Sequence, residues 1–233
     1  MNSLFKRPLI SLSSLKLTTN PLFSLSKPAI RPISFQMSND KQLFELPQFD
    51  PSLKIDRSSS RYNPIVWVDC EMTGLDVVND HIIEVACLIT DGDLNLVDEG
   101  YESVVHYDES VMSAMNEWCI EHHGDSPKSL EQVEEELYQY ITKFTDKGKA
   151  VLAGNTVHMD RCFLMREFPK VVDHLHYRII DVSSISEFLR RHNLDLYNKV
   201  PKKREAHTAK SDILESIAQL KWYRENYLKG PAE

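Results

Sequence analysis

Ile65-Val66-Trp67-Val68-Asp69-Cys70-Glu71 is a run of β-branched and aromatic residues that closes on two acids, and it reads as a strand. Side chains alternate along a strand. Asp69 and Glu71 therefore project to one face, while Val66, Val68 and Cys70 face the other. Two carboxylates side by side repel each other unless a cation or a proton is shared between them. A strand end reaching solvent carries such a pair at little cost, and on the pair alone that plain reading stands ahead of a functional one.

Working outward, residues 82–89 read as a second strand, followed by the hairpin turn signal Asp91-Gly92. A third strand around residues 102–106 completes an antiparallel meander. Residues 110–122 and 128–145 have helical spacing, the second with Leu130, Val133, Leu137 and Ile141 as its apolar stripe. Residues 150–153 form a short buried strand. Residues 160–168 form a helix ended before Pro169. Residues 179–182 are a strand, and 184–191 and 208–228 are helices, the last with Ile213, Ile217 and Leu220 on one face. A meander followed by alternating strands and helices indicates an α/β fold, a mixed sheet with helices packed on it.

The 233 residues suit one domain with a short appendage. No uninterrupted apolar run reaches the length of a transmembrane helix. The formal net charge is −8, unevenly spread. Residues 1–39 hold Lys6, Arg7, Lys16, Lys27 and Arg31 and no acid, which leaves −13 for residues 40–233. A body this acidic is unsuited to coating long nucleic acid, where affinity comes from neutralising phosphates. It is compatible with a small substrate and bound cations, since clustered carboxylates are the expected ligands of Mg²⁺ or Mn²⁺. Cys70, Cys87, Cys119 and Cys162 form no CxxC pair and are too scattered for a disulfide framework, so they read as reduced, mostly buried thiols.

Residues 1–39 are rich in Ser and Leu, basic and free of acids, the composition of an organellar transit peptide; Pro8, Lys16, Pro21 and Pro28 interrupt any secretory apolar core. A mitochondrial destination is the first expectation. A plastid is its rival, and a start at Met37 would give a cytosolic form. Residues 40–61 read as a polar linker, 62–229 as the folded domain and 230–233 as a tail.

Further acids carry chemistry only in combination. Gly154-Asn155-Thr156 follows a strand and leads to Asp160 at a helix start, where an Asp is equally well a cap. His207 precedes Asp212 by five residues. On a regular helix that spacing turns the chain about 140° past a full turn, so the two side chains diverge. They share a site only if His207 sits on the loop before the helix and Asp212 lies in its first turns. Lys202, Lys203 and Arg204 before His207 suit an exposed loop.

The order Asp69-x-Glu71, Asp160, His207-x-x-x-x-Asp212 resembles the DEDDh branch of the 3′-to-5′ exonucleases, and more narrowly its oligoribonuclease family. Trp67 to Asp76, Gly154-Asn155-Thr156 through Leu164, His176 to Ser183, and His207 to Asp212 carry the resemblance, which spans roughly residues 63–229. It implies a ribonuclease-H-like fold, a five-stranded mixed sheet flanked by helices. It also implies two divalent cations, Mg²⁺ or Mn²⁺, about 4 Å apart, held by Asp69, Glu71, Asp160 and Asp212. One ion would activate water, the other would stabilise the leaving 3′ oxygen, and His207 would act as general base. Members of the family act on RNAs of two to about five nucleotides, dinucleotides favoured, releasing nucleoside 5′-monophosphates. On that pattern Leu75 and Trp118 wedge against the 5′-side base, and Tyr177 reaches across a homodimer. Thr156, Arg178 and Ser183 hold the 5′ phosphate. Core packing accounts equally well for Leu75 and Trp118, and a salt bridge for Arg178.

Thr156 stands where the family has Ser, with the hydroxyl kept. His158-Met159 replace a smaller or polar pair, and Lys210-Ser211 replace a pair with an acid before Asp212. Two alternatives stay open: a related exonuclease acting on longer RNA or DNA 3′ ends, and an inactive nucleic-acid-binding homologue. The intact set of acids speaks against the second.

Overall fold

The computed structural model describes residues 42–59, 62–107, 127–204 and 208–228. Its sheet has the order β3-β2-β1-β4-β5, built from β1 (Ile65–Met72), β2 (Ile82–Thr90), β3 (Tyr101–Val104), β4 (Val151–Gly154) and β5 (Ile179–Asp181). The β1–β2 and β2–β3 pairs are antiparallel, and β1–β4 and β4–β5 are parallel. This is the mixed sheet that the order of elements in the sequence predicts.

The helices among the described residues are α1 (Leu130–Thr142), α2 (His158–Glu167), α3 (Pro169–His174), α4 (Val182–His192), α5 (Leu194–Tyr197) and α6 (Ala209–Asn226). Ser129 caps α1 by accepting the N–H of Gln132, and Thr208 caps α6 by accepting that of Ser211. The helix expected to stop before Pro169 does stop, but Pro169 then opens α3, where its missing N–H costs nothing. That helix and α5 are additions to the expected elements. The helix expected over residues 110–122 lies outside the described residues.

The alternation along β1 is played out on both faces of the sheet. Val66, Val68 and Cys70 pack with Leu137 and Ile141 of α1 and with Phe163 and Leu164 of α2. Ile65 and Trp67 pack with Val182 and Leu189 of α4 and with Ile213, Ile217 and Tyr223 of α6. Trp67 is wholly buried, and its indole N–H donates to the Thr90 hydroxyl at 3.0 Å.

Two local features depart from a simple reading. After β2 the turn places Leu94, not Gly92, in the left-handed region at φ 68°, and Leu94 N–H closes onto the Asp91 carbonyl. The stretch read as a linker is also packed. Leu43 bridges to Lys202, Phe44 is buried, and Ile55 lies against the α1 side of the core.

Most consequential for the site, β1 outruns β4. The two pair only from Ile65↔Val151 to Trp67↔Ala153, so from Val68 onward the β4-side edge of β1 has no strand partner. A Cβ on Gly154 would stand 3.0 Å from the Val68 carbonyl, a contact tight enough to favour glycine where the chain leaves β4.

Candidate active site

Three carboxylates converge beside this free edge. Asp69 and Glu71 rise from β1 on the Trp67 face, and Asp212 descends from the first turn of α6, which covers that face. One oxygen from each of the three lies within 4.8 Å of the others. Asp212 falls in the first turn because Thr208 starts the helix, as the spacing argument required.

Asp160 arrives from the other side of the sheet, in the first turn of α2, and is 6% exposed. Its Oδ1 accepts the backbone N–H of Cys70 at 3.0 Å, on the edge that β4 leaves open. Asp160 is not the cap of α2, a place that Val157 fills without a side-chain bond; besides its own N–H, this carboxylate bonds β1.

The electrostatics follow from the crowding. Burial, then the charges of Asp160, Asp212 and Glu71, push the Asp69 carboxyl up to about 8. Burial lifts Asp160 to about 6, against the opposing pull of the Cys70 N–H. The Cys70 thiol is driven well up by burial and by the same acids, which leaves it an inert thiol. Cys87 is likewise a buried free thiol, while Cys162 is exposed.

Two oxygens bound to one Mg²⁺ at about 2.1 Å stand at most about 4.2 Å apart. A 4.8 Å span therefore needs only small side-chain movement to take a divalent cation. All the donors are hard oxygens, which suits Mg²⁺ or Mn²⁺.

The other described residues singled out in the sequence lie on the segments flanking β1, β4 and β5. Leu75, on the loop after β1, is 72% exposed. Thr156 adopts φ 57° between β4 and α2. Tyr177 is 71% exposed, its ring stacked on His176 at 4.4 Å and 5.5 Å from the Arg178 guanidinium. Ser183 lies in the first turn of α4. Trp118 and His207 lie outside the described residues. Ahead of His207, Arg204 N–H is held by the buried Glu215, and Lys202 N–H donates to the Gln42 carbonyl at 3.0 Å.

One residue of this neighbourhood escaped the sequence reading. Asp181 ends β5 and caps α4, and it contacts Thr156, His158 and Ser183. Asp181-Val182-Ser183 before a helix carries the N-cap signature that could have marked it.

The exonuclease family that includes ribonuclease T matches residues 66–220. The mitochondrial oligoribonuclease of Saccharomyces cerevisiae is 60% identical over 189 residues, which cover 74% of this chain and 70% of that protein. A probable oligoribonuclease of Dictyostelium discoideum is 48% identical over 180 residues, 73% of this chain and 94% of that one. Among solved structures, exonuclease I superposes with a TM-score of 0.56 at 13% identity. The match covers 71% of this chain but only 42% of that longer one, and it bears on the ribonuclease-H-like fold alone. With the carboxylates gathered at the open edge of β1 and this degree of identity across the folded part, the chain belongs to the oligoribonuclease family of 3′-to-5′ exoribonucleases.

Proposed function

We propose that this enzyme trims very short RNA, dinucleotides above all, to nucleoside 5′-monophosphates. The observation that carries the chemistry is the meeting of Asp69, Glu71 and Asp212 within 4.8 Å, with the buried Asp160 against the same strand. These four would hold two divalent cations. When bound, such cations lower the pKa of the attacking water and stabilise charge on the leaving 3′ oxygen. The chain's own part is to fix the carboxylates in register, through the β1 alternation and the Cys70–Asp160 bond, and to keep them partly out of water. His207 takes the proton of the attacking water; this assignment rests on its spacing from Asp212 and on the family resemblance, and imidazole suits it because its ordinary pKa lies near neutrality.

The short-substrate preference comes from a closed 5′ end. Leu75 and Trp118 press on the 5′-side base, and Thr156, Arg178 and Ser183 hold the 5′ phosphate. Arg178 brings a forked donor suited to a phosphate. Tyr177 completes the site of a second copy in a homodimer; a phenol ring 71% exposed on the single chain supports this role. The acidic composition agrees, since a dinucleotide needs no basic track. No helix among the described residues is long and apolar enough to cross a membrane. The basic, acid-free residues 1–39 and the mitochondrial relative point to import into mitochondria, with 62–229 as the exonuclease domain.

The test is turnover of a 5′-phosphorylated RNA dinucleotide against a 20-mer, with Mg²⁺ and with chelator. The expected result is strong, metal-dependent preference for the dinucleotide. Preference for the 20-mer would favour the longer-substrate exonuclease, and no turnover of either would favour an inactive binding protein.

A further inference from the structure

At the carboxyl ends of β4 and β5, where Gly154 and Asp181 stand side by side in the parallel pair, one carboxylate gathers several groups. Asp181 Oδ1 accepts the Thr156 N–H at 3.0 Å, the Ser183 N–H at 3.0 Å and the Ser183 hydroxyl at 2.6 Å. Its Oδ2 faces His158 Nδ1 at 3.4 Å. Burial pushes this carboxyl up, but the hydroxyl, the two N–H groups and the imidazole outweigh it and hold the group below the ordinary range.

Two consequences bear on the reading that Thr156, Arg178 and Ser183 bind a 5′ phosphate. Thr156 sits at φ 57°, the left-handed region that residues with a Cβ rarely adopt. A β-branched side chain gives no local reason to adopt it; the bond from its N–H to Asp181 does. The Ser183 hydroxyl proton is committed to Asp181, so this hydroxyl reaches a phosphate only through a rearrangement that Asp181 governs.

We propose that Asp181 is the positioning residue of the 5′-phosphate subsite: it sets the turn that aims Thr156, fixes Ser183, and holds His158 at the same rim. The proposal rests on the subsite reading above. A carboxylate suits the task because its charge strengthens the three bonds converging on Oδ1, and an amide NH₂ would replace the acceptor facing His158.

Asp181 also lies close enough to Asp160 to raise its carboxyl, so a change here touches both ends of the site. The informative quantity is therefore a ratio, in which effects common to both substrates cancel. It is kcat/KM for a 5′-phosphorylated RNA dinucleotide over kcat/KM for the same dinucleotide with a 5′ hydroxyl. Asp181→Ala should lower this ratio about tenfold relative to the unchanged protein, through KM. Asp181→Asn, which keeps one acceptor oxygen, should lower it less; it carries the test if the alanine variant does not fold. A ratio unchanged in the folded variants overturns the role of Asp181 and leaves the subsite standing. An unchanged protein that fails to discriminate between the two substrates overturns the subsite, and the proposal with it.

Discussion

Asp160 Oδ1 accepts the N–H of Cys70 at 3.0 Å, and Cys70 is the residue between Asp69 and Glu71. One hydrogen bond thus ties a helix on one face of the sheet to the strand whose two acids point to the other. The bond is possible because β4 ends early and leaves that N–H without a strand partner. Positioning of the fourth acid is a property of strand lengths, not of any acid's own surroundings.

The crowding makes stability depend on pH in a definite direction. In the folded chain Asp69 is raised to about 8 and Asp160 to about 6, from an ordinary value of 3.8. Between the ordinary and the raised values the folded state binds more protons than the unfolded one. Stability of the metal-free protein therefore falls as pH rises from about 4 to about 8. On the proposed two-metal reading, divalent cations bind the ionised acids and offset the penalty. In chelator, Tm should drop between pH 5 and pH 8, while the rise in Tm on adding Mn²⁺ should grow over the same interval. A metal-free Tm that climbs across this range would contradict the assignment of the cluster.

The same repulsion predicts a trade between stability and activity. Asp212→Asn removes one charge from three that lie within 4.8 Å and keeps the side-chain shape. Hydrolysis should fall by orders of magnitude, while the metal-free Tm at pH 8 should rise above that of the unchanged chain. Retained turnover in Mn²⁺ would remove Asp212 from the ligand set.

Much of this was legible in the chain itself. Period-two alternation in Ile65 to Glu71 put Asp69 and Glu71 on the Trp67 face, and a helix read from about residue 208 put Asp212 in its first turns. Less legible were relations that depend on where strands end. Asp160 looked like an ordinary cap because nothing local to it says that β4 stops at Gly154 and bares the Cys70 N–H. Asp181 was passed over because its partners, Thr156 and His158, lie more than twenty residues earlier. Pro169 was read as a stop alone, although the same residue is well suited to open α3.

The core offers a test of the fold apart from the chemistry. Trp67 and Thr90 are both fully buried, and the indole N–H has the Thr90 hydroxyl as its acceptor. Thr90→Val keeps the shape and removes the acceptor, leaving a buried donor unmet. The expected cost is about 1–3 kcal/mol, read from urea unfolding followed by tryptophan fluorescence. No loss of stability would mean that the indole finds another acceptor and that β1 and β2 are not clamped at this point.

At the far end of α2 from Asp160, Glu167 holds the loop that carries Leu75. Its side chain is 5% exposed and receives the Ile82 N–H at 2.8 Å, with His81 Nδ1 and the Arg166 guanidinium each at 2.7 Å. Arg166 in turn donates to the carbonyls of Val77 and Asp80. Within the loop, Asp80 accepts the Thr73 hydroxyl and the Asp76 N–H, and a Cβ on Gly74 would strike its carboxylate. One helix therefore carries Asp160 at its start and grips the Leu75 loop at its end. Glu167→Ala strands the N–H of the fully buried Ile82 and leaves the Arg166 guanidinium without its carboxylate. Urea unfolding should show a loss of about 1–3 kcal/mol from the orphaned N–H. Faster amide exchange should be confined to residues 73–82, where the clip acts. Because the loop presents Leu75 while Asp69, Glu71 and Asp212 stay in place, KM for a dinucleotide should rise several-fold with kcat changed little. The expected stability loss with KM unaltered would show that the loop is braced for the fold alone and that Leu75 does not grip the substrate.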